Sequence, residues 1–359
     1  MKWFKKQEPL IHLDENGGTL SEPIYGYHDY LDINNSHTRE PMVPCQTLLL
    51  LKENPVISHP MGARMGSLSH TTRNGEVNIQ DAFKRCEEDI WIFHLLDEWA
   101  RDNEYITDGY RAFGKNPFFY LISLFWFHNE TINIWIHLIG LFLTIAFQYY
   151  YAYGTSYLYY WSDQVCFHVF CLAMELCYLF SVIMHTFYPI SERVSHTLQR
   201  IDYVGISLLM MGNVSVFVYF SFYGDYVLQQ TYYFLLIGAE VLAIPFMVTK
   251  WFVRHRNVRG GFFTFYTLVL TTPVIHRLIF TQSLDDHIFR ILEYFAFGTL
   301  FYAIGGVFYV SRFPERLRPG NFNYIGSSHQ WFHLFSVLAG CIMCWTFTQL
   351  QYQGTHGFT

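Results

Sequence analysis

Seven apolar stretches of about 20 residues limit what this chain can fold into more than any other feature. They lie at approximately residues 132–151, 165–184, 203–223, 232–252, 262–280, 292–309 and 331–350. Each stretch is long enough, as a helix, to cross a hydrocarbon core about 30 Å thick. Unpaired backbone groups are costly in lipid, and these stretches lack the alternation of barrel strands. The sequence therefore predicts an all-α, polytopic membrane bundle of seven transmembrane helices.

The charged residues are distributed unevenly, and their balance excludes one class of function. Only 14% of the 359 residues are charged, against about 25% in an average soluble protein. The net charge of −6 belongs to residues 1–117, because the rest of the chain holds 11 basic and 11 acidic side chains. A nucleic-acid-binding protein needs a basic face to neutralise phosphates, so nucleic acid is excluded as a partner.

The basic residues of the loops predict the orientation of the bundle. Cytoplasmic loops of membrane proteins carry an excess of Lys and Arg. Loops 2–3, 4–5 and 6–7 and their edges hold nine such residues: Arg193, Arg200, Lys250, Arg254, Arg256, Arg259, Arg312, Arg316 and Arg318. We therefore predict a cytoplasmic N-terminus and an extracellular or lumenal C-terminus, opposite to G-protein-coupled receptors. This orientation keeps the glycosylation sequon at Asn129 on the cytoplasmic side.

Four regions are predicted along the chain. Residues 1–81 hold many turn formers and little periodicity, which indicates a loosely ordered cytoplasmic tail. Residues 82–130 are predicted to form a juxtamembrane region, because apolar residues from Phe83 to Trp99 recur at helical spacing. That amphipathic helix lies either on the membrane or against the cytoplasmic end of the bundle. Residues 131–352 hold the seven transmembrane helices, and residues 353–359 form an extracellular or lumenal tail.

Ionisable residues in the predicted spans are candidates for function, because they are costly to bury in lipid. His329 and His333 are four residues apart and therefore share one helix face, a spacing that lets two imidazoles bind one metal ion. By itself, such a pair is more typical of packing or hydrogen bonding than of metal binding. His185 ends segment 2 at the same membrane depth in the predicted topology, and three protein ligands with one open position are typical of catalytic zinc.

Two further residues are predicted to lie beside these histidines. Asp202 opens segment 3 at the same depth, where its carboxylate would orient or deprotonate a water molecule. Ser181 lies one turn before His185 and either joins the site or bonds to its own helix backbone.

Other polar residues of the spans are interpreted as structural. Glu175 lies too far from His185 along the helix to join the site. For Glu240 and the pair His276-Arg277, structural roles are favoured over a cavity lining. His137 and His168 are expected to be satisfied by local hydrogen bonds.

Four ordered motifs resemble one family. They are HNETINIWIHLIG (128–140), HTFYPISERVSHTLQRIDYVGIS (185–207), TPVIHR (272–277) and PERLRPGNFNYIGSSHQWFH (314–333). They resemble the progestin and adipoQ receptor family, which includes the adiponectin receptors and is related to hemolysin III-like proteins. The resemblance begins at about Asp97 and ends at about Thr348. The stretch NFNYIGSSHQ is closer to the Golgi-resident branch, since the adiponectin receptors usually have Asp where this chain has Asn323.

The resemblance implies a zinc site and a connection with lipids. It implies Zn²⁺ bound by His185, His329 and His333, with Asp202 contacting the metal-bound water and Ser181 nearby. It also implies lipid signalling, with ceramidase-like amide hydrolysis proposed for the adiponectin receptors. The membrane is the plasma membrane, the Golgi or the endoplasmic reticulum.

Three functions stay open at this point. The first is a seven-transmembrane receptor that hydrolyses a lipid amide with zinc. The second is a non-enzymatic receptor, tether or scaffold in which zinc is structural. The third is a proton-linked channel or transporter, which is disfavoured because the spans show no internal repeat and no chain of ionisable residues across the full membrane depth. The partners considered are membrane lipids or a lipid-derived substrate, an extracellular protein or steroid ligand, and a cytoplasmic protein that binds the N-terminal region.

Overall fold

A computed structural model describes residues 90–91, 93, 96–154, 160–280 and 286–356. Seven helices within these residues are long and apolar enough to cross a membrane, which confirms the predicted all-α seven-helix class. The spans are Thr131–Tyr153, Trp161–Ile190, Glu192–Ser221, Tyr226–Met247, Arg256–Phe280, Ile288–Ser311 and Ser328–Leu350. The predicted tail at residues 1–81 lies outside the described residues.

The helices are numbered here in chain order. They are α1 (Pro117–Ile122), α2 (Thr131–Gly154), α3 (Trp161–Phe187), α4 (Glu192–Ser221), α5 (Tyr226–Met247), α6 (Lys250–Arg254), α7 (Arg256–Leu270), α8 (Thr272–Phe280), α9 (Asp286–Ser311) and α10 (Ser328–His356). The helices α7 and α8 together make the fifth span. Since successive spans alternate in direction, α2, α4, α7 and α10 begin at one end of the bundle, which we call the site end.

Close packing of α3 against its neighbours builds the main core of the bundle, which extends to the end opposite the site end. The main core cluster contains Phe167, Phe170 and Met174 of α3 with Phe217 of α4 and Phe347 of α10.

Large apolar side chains, such as those of Phe234 and Leu242 on α5, remain exposed on the outside of the bundle. An exposed apolar surface of this kind is suited to lipid and not to water.

Two glycines let α4 approach α3 closely. A Cβ atom on Gly212 would lie 2.8 Å from the Cβ of Ala173, and one on Gly205 would lie 3.0 Å from the Cα of Cys177. Small residues at helix contacts allow this close approach in membrane proteins. The contact brings the start of α4, which carries Asp202, next to the end of α3, which carries His185.

The juxtamembrane region differs from its prediction. Ile90–Trp91 and Tyr110–Arg111 pair as antiparallel strands β1 and β2, and Glu98–Ala100 form a 3-10 turn. The described part of the predicted amphipathic helix is therefore not α-helical, and residues 82–89 lie outside the described residues. The helical spacing of the apolar residues does not reflect a helix here. Phe93, Leu96 and Ala100 are apolar because they pack in a cluster with Ile106 and Tyr110. At the other terminus, α10 continues to His356, beyond the predicted boundary at residue 352.

Candidate metal centre

Three imidazoles meet at the site end of the bundle. His185 comes from the last turn of α3, and His329 and His333 come from the first turns of α10. The Nε2 atom of His329 lies 3.2 Å from Nε2 of His185 and 3.1 Å from Nε2 of His333. The structure thus brings together the three histidines that the sequence predicted as metal ligands, although they belong to distant segments.

Hydrogen bonds at the other ring nitrogens orient two of the imidazoles. Nδ1 of His185 lies 2.8 Å from Oε2 of Glu130, and Nδ1 of His333 lies 3.2 Å from the backbone oxygen of Asn133. A carboxylate and a carbonyl accept hydrogen bonds, so both Nδ1 atoms donate, and in the tautomer that carries its proton on Nδ1 each Nε2 atom has a lone pair. Nε2 of His329 has at most one proton to donate. Hydrogen bonding alone therefore leaves a lone pair of one ring unsatisfied.

A metal ion would satisfy all three nitrogens. Zinc binds imidazole nitrogen at about 2.0–2.1 Å, and tetrahedral angles then place two ligand nitrogens about 3.3–3.4 Å apart. The observed separations of 3.2 and 3.1 Å are close to this value. The three histidines could thus hold a metal ion, and their donor set and spacing fit zinc with one position left open.

Asp202 and Ser181 lie on the wall of the same cavity as the three histidines. Asp202 is on α4 and Ser181 is on α3, and both side chains are buried. The Ser181 hydroxyl lies close enough to the Asp202 carboxylate to interact with it. A buried carboxylate beside a metal centre is suited to accept a proton from water, which is the role that the sequence predicted for it.

Glu130 is a residue of the site that the sequence analysis did not single out. Its carboxylate contacts His185 and also accepts a hydrogen bond of 2.6 Å from the Asn133 amide. Burial by itself raises the pKa of Glu130, but the adjacent His185 and His329 imidazoles and the Asn133 amide lower it below the usual range. Glu130 is therefore a carboxylate at neutral pH. Its place directly before α2, at the site end, was the signal available in the sequence.

Two more residues support this arrangement from outside the spans. Burial and the Arg111 guanidinium lower the pKa of His128 to about 3, so this ring is neutral. Its Nδ1 accepts a hydrogen bond of 3.1 Å from the backbone N–H of Glu130. The fully buried Arg111 donates to the carbonyls of His185 and Thr186, at 2.5 and 3.0 Å. These carbonyls lie at the C-terminus of α3, where a cation is favourable.

His137 differs from its prediction. Its ring stacks on that of His333, with centroids 3.8 Å apart and planes inclined by 11°. Neither ring nitrogen of His137 has a hydrogen-bond partner among the described residues. The expected local hydrogen bonds are therefore wrong for His137, because the neighbouring apolar and imidazole surfaces hold the ring by stacking.

The other polar groups of the spans lie in separate contacts. Glu240 accepts hydrogen bonds from Ser207 at 2.6 Å and Tyr266 at 2.5 Å, which joins α5 to α4 and α7. His276 contacts the Tyr232 hydroxyl at 2.5 Å. These contacts agree with the structural roles that the sequence favoured.

A cavity of about 1570 Å³ adjoins the histidines. It extends from the juxtamembrane residues at the site end to apolar side chains deeper in the bundle, among them Leu209, Leu270 and Phe295. A polar centre at the end of a long apolar cavity is suited to a molecule with a polar group and a hydrocarbon chain.

Together, the spans and the cavity define the class as a multi-pass integral membrane protein with a candidate metal centre inside its bundle. Residues 125–345 match the haemolysin-III-related family, and this region is more than half of the chain. The chain belongs to that family.

Named relatives confirm the resemblance. The adiponectin receptor protein of Drosophila melanogaster is 28% identical over 285 residues, which cover 77% of this chain and 63% of the relative. Progestin and adipoQ receptor family member 3 of Homo sapiens is 32% identical over 265 residues, covering 69% of this chain and 82% of the relative. Heptahelical transmembrane protein 1 of Arabidopsis thaliana is 31% identical over 277 residues, covering 72% and 80%.

Proposed function

We propose that the protein is a zinc-binding receptor of the progestin and adipoQ receptor type that acts in lipid or metabolic signalling by hydrolysing a lipid amide. The convergence of three Nε2 atoms beside Asp202, at the end of an apolar cavity, is the observation that supports this proposal. The receptor part rests on the names of the relatives. The loop charges support a cytoplasmic location for the centre.

The side chains around the centre have separate tasks in this reaction. When bound, zinc supplies Lewis-acid activation of a carbonyl and of water. Asp202 takes the proton from the attacking water and returns it to the leaving amine nitrogen as the carbon–nitrogen bond breaks. Ser181 interacts with the Asp202 carboxylate, and Glu130 orients the His185 ring. The apolar wall of the cavity holds the acyl chain, and the products are a fatty acid and an amine.

The variant Asp202→Asn tests the proposed reaction. In purified full-length protein, this change should lower fatty-acid release from ceramide by about 10²- to 10⁴-fold, because it removes the proton acceptor. Metal content should stay the same, since Asp202 is not a proposed ligand. Glu240→Gln is the matched control, because it also changes a buried carboxylate, on α5. Release at the parental rate by the Asp202→Asn variant would exclude the mechanism.

A second candidate function is a non-enzymatic receptor or tether in which zinc is structural. The supporting observation is that the three histidines join α3 to α10, so a metal ion there would link two spans. His333→Ala should then lower thermal stability and expression, while the parental protein turns over no lipid. Fatty-acid release by the parental protein, lost together with zinc in the triple alanine variant of the histidines, would exclude this candidate.

A further inference from the structure

Two arginines of the first turn of α7 lie on the cavity wall near the histidines. Arg256 and Arg259 both line the cavity. Their side chains are 22% and 6% exposed. Burying a guanidinium is costly unless anions and acceptors surround it, so the partners of this pair decide what the pair can do.

The two guanidinium groups share one carboxylate. Asp102 lies 3.7 Å from Arg256 and 3.5 Å from Arg259, and its own side chain is 67% exposed. Arg256 also donates to the backbone oxygen of Tyr309, and Arg259 donates to that of Val253. Among the residues that the structure describes, Nε of Arg259 has no hydrogen-bond partner. The pair thus has more positive charge and more donors than its neighbours satisfy.

The arginine pair is close to the metal centre. The Arg256 guanidinium lies 4.4 Å from the ring centroid of Tyr309. The same ring lies 5.8 Å from that of His329. A single aromatic ring therefore separates the cation from a proposed zinc ligand. A lipid whose polar bond lies at the histidines can therefore place the group attached to that bond at the arginines.

We infer that Arg256 and Arg259 form a subsite for the anionic headgroup of a lipid amide, a carboxylate or a phosphate. The headgroup binds the guanidinium groups and displaces the Asp102 carboxylate, while the acyl chain lies in the apolar part of the cavity. Guanidinium groups bind such anions with paired, charge-assisted hydrogen bonds. The assignment of the amide to the histidines rests on the proposed function, but binding of the headgroup does not.

Two matched lipids test the subsite. N-oleoylglycine and N-oleoylethanolamine have the same acyl chain and amide, and only the first has a carboxylate. Binding to the purified full-length protein, measured by ligand-induced thermal stabilisation and by titration, should favour N-oleoylglycine by about tenfold or more, as expected for hydrogen bonds between charged groups. Equal affinity for the two lipids would overturn the inference. N-acetylglycine has the anion without the chain, and affinity for it equal to that of N-oleoylglycine would overturn the assignment to a lipid.

Variants locate the preference on these residues. Arg256→Gln and Arg259→Gln should each reduce the preference for the anionic lipid severalfold, and Arg259→Lys should keep part of it, because it keeps the charge. Arg318→Gln is the control, since this exposed arginine precedes α10 and does not line the cavity. Unchanged metal content and thermal stability would show that the Gln variants fold. A preference that survives both Gln variants would exclude the pair.

Asp102→Asn supplies a change in the opposite direction. Removing the competing carboxylate should raise the affinity for N-oleoylglycine and leave that for N-oleoylethanolamine unchanged. A drop in affinity for both lipids would contradict the role assigned to Asp102.

Failure of the proposed hydrolysis is distinguishable from failure of the subsite. Preferential binding of the anionic lipid without turnover supports the subsite and not the reaction. Turnover of both lipids with equal affinity supports the reaction and not the subsite.

Discussion

At the scale of single residues, the carbonyl groups at the end of α3 and the imidazole of His185 have separate supports. Arg111 donates to Ser123 Oγ at 3.0 Å as well as to the two carbonyls at the end of α3. Its guanidinium also lies 5.6 Å from the ring centroid of Tyr120. Glu130 orients the imidazole ring of His185, because its carboxylate accepts a hydrogen bond from Nδ1 of that ring. The position and the tautomer of one proposed ligand are therefore determined by residues that bind no metal themselves.

Replacing Glu130 by Gln should weaken metal binding. The neutral amide accepts a weaker hydrogen bond from His185 Nδ1, and loss of such a support typically costs 10–100-fold in metal affinity. Zinc affinity measured by competition with a chelator should therefore fall by about 10–100-fold. Glu192→Gln is the control, because the Glu192 carboxylate pairs with His196 and not with a proposed ligand. An affinity within about twofold of the parental value would show that Glu130 does not act through His185.

At the scale of helices, α2 supplies no proposed metal ligand but orients two of the histidine rings. The contact between α3 and α4 sets how close these two helices lie. Glu130, directly before α2, accepts a hydrogen bond from Nδ1 of His185, and the backbone oxygen of Asn133, in the first turn of α2, accepts one from Nδ1 of His333. The close contact of Gly212 with Ala173 sets the distance between α3 and α4. Because the Cβ of Ala173 is attached to the helix backbone, it has little freedom to move away.

Gly212→Ala should destabilise the bundle. An added methyl group at 2.8 Å from the Ala173 Cβ has to push α4 from α3, and overpacking of this kind typically costs about 1–3 kcal/mol. Thermal unfolding in detergent should show a lower midpoint. At Gly238 of α5 an added Cβ meets no atom within 4 Å, so Gly238→Ala should leave the midpoint unchanged or raise it slightly. Equal midpoints for the two variants would refute the close contact.

At the scale of the whole molecule, the orientation of the bundle is still a prediction from the loop charges. The sequon at Asn129 is a poor reporter of it. Asn129 is only 8% exposed, and its backbone N–H donates to the backbone oxygen of Gly109. A glycan would find little access to this residue in the folded protein on either side of the membrane.

A glycosylation sequon added after Thr359 tests the orientation directly. If the C-terminus is extracellular or lumenal, expression in eukaryotic cells should give a glycosylated product that shifts after glycosidase treatment. The same sequon placed before Met1 should stay unmodified, since the N-terminus is predicted to be cytoplasmic. The reverse pattern would invert the topology and place the candidate metal centre on the other face of the membrane.

Hydropathy by itself determined the class of the molecule. The number and order of the spans depend on the apolar surface of about 20 consecutive residues, which is a local and additive property. For the same reason the sequence identified His185, His329 and His333 as costly groups at helix ends. The sequence could not distinguish a helix from a loop near Phe93 and Leu96. These residues have helical spacing, but they are apolar because they pack in a cluster with Ile106 and Tyr110.

Only the tertiary structure decided which groups meet. Glu130 lies 55 positions from His185, and Asn133 lies 200 positions from His333, yet each pair shares a hydrogen bond. Arg256 and Arg259 had been counted in the sequence only as loop charge. Their place on the cavity wall follows from how the spans pack. Contacts of this kind depend on the rotation and spacing of whole helices, which side-chain packing sets and a local pattern does not record.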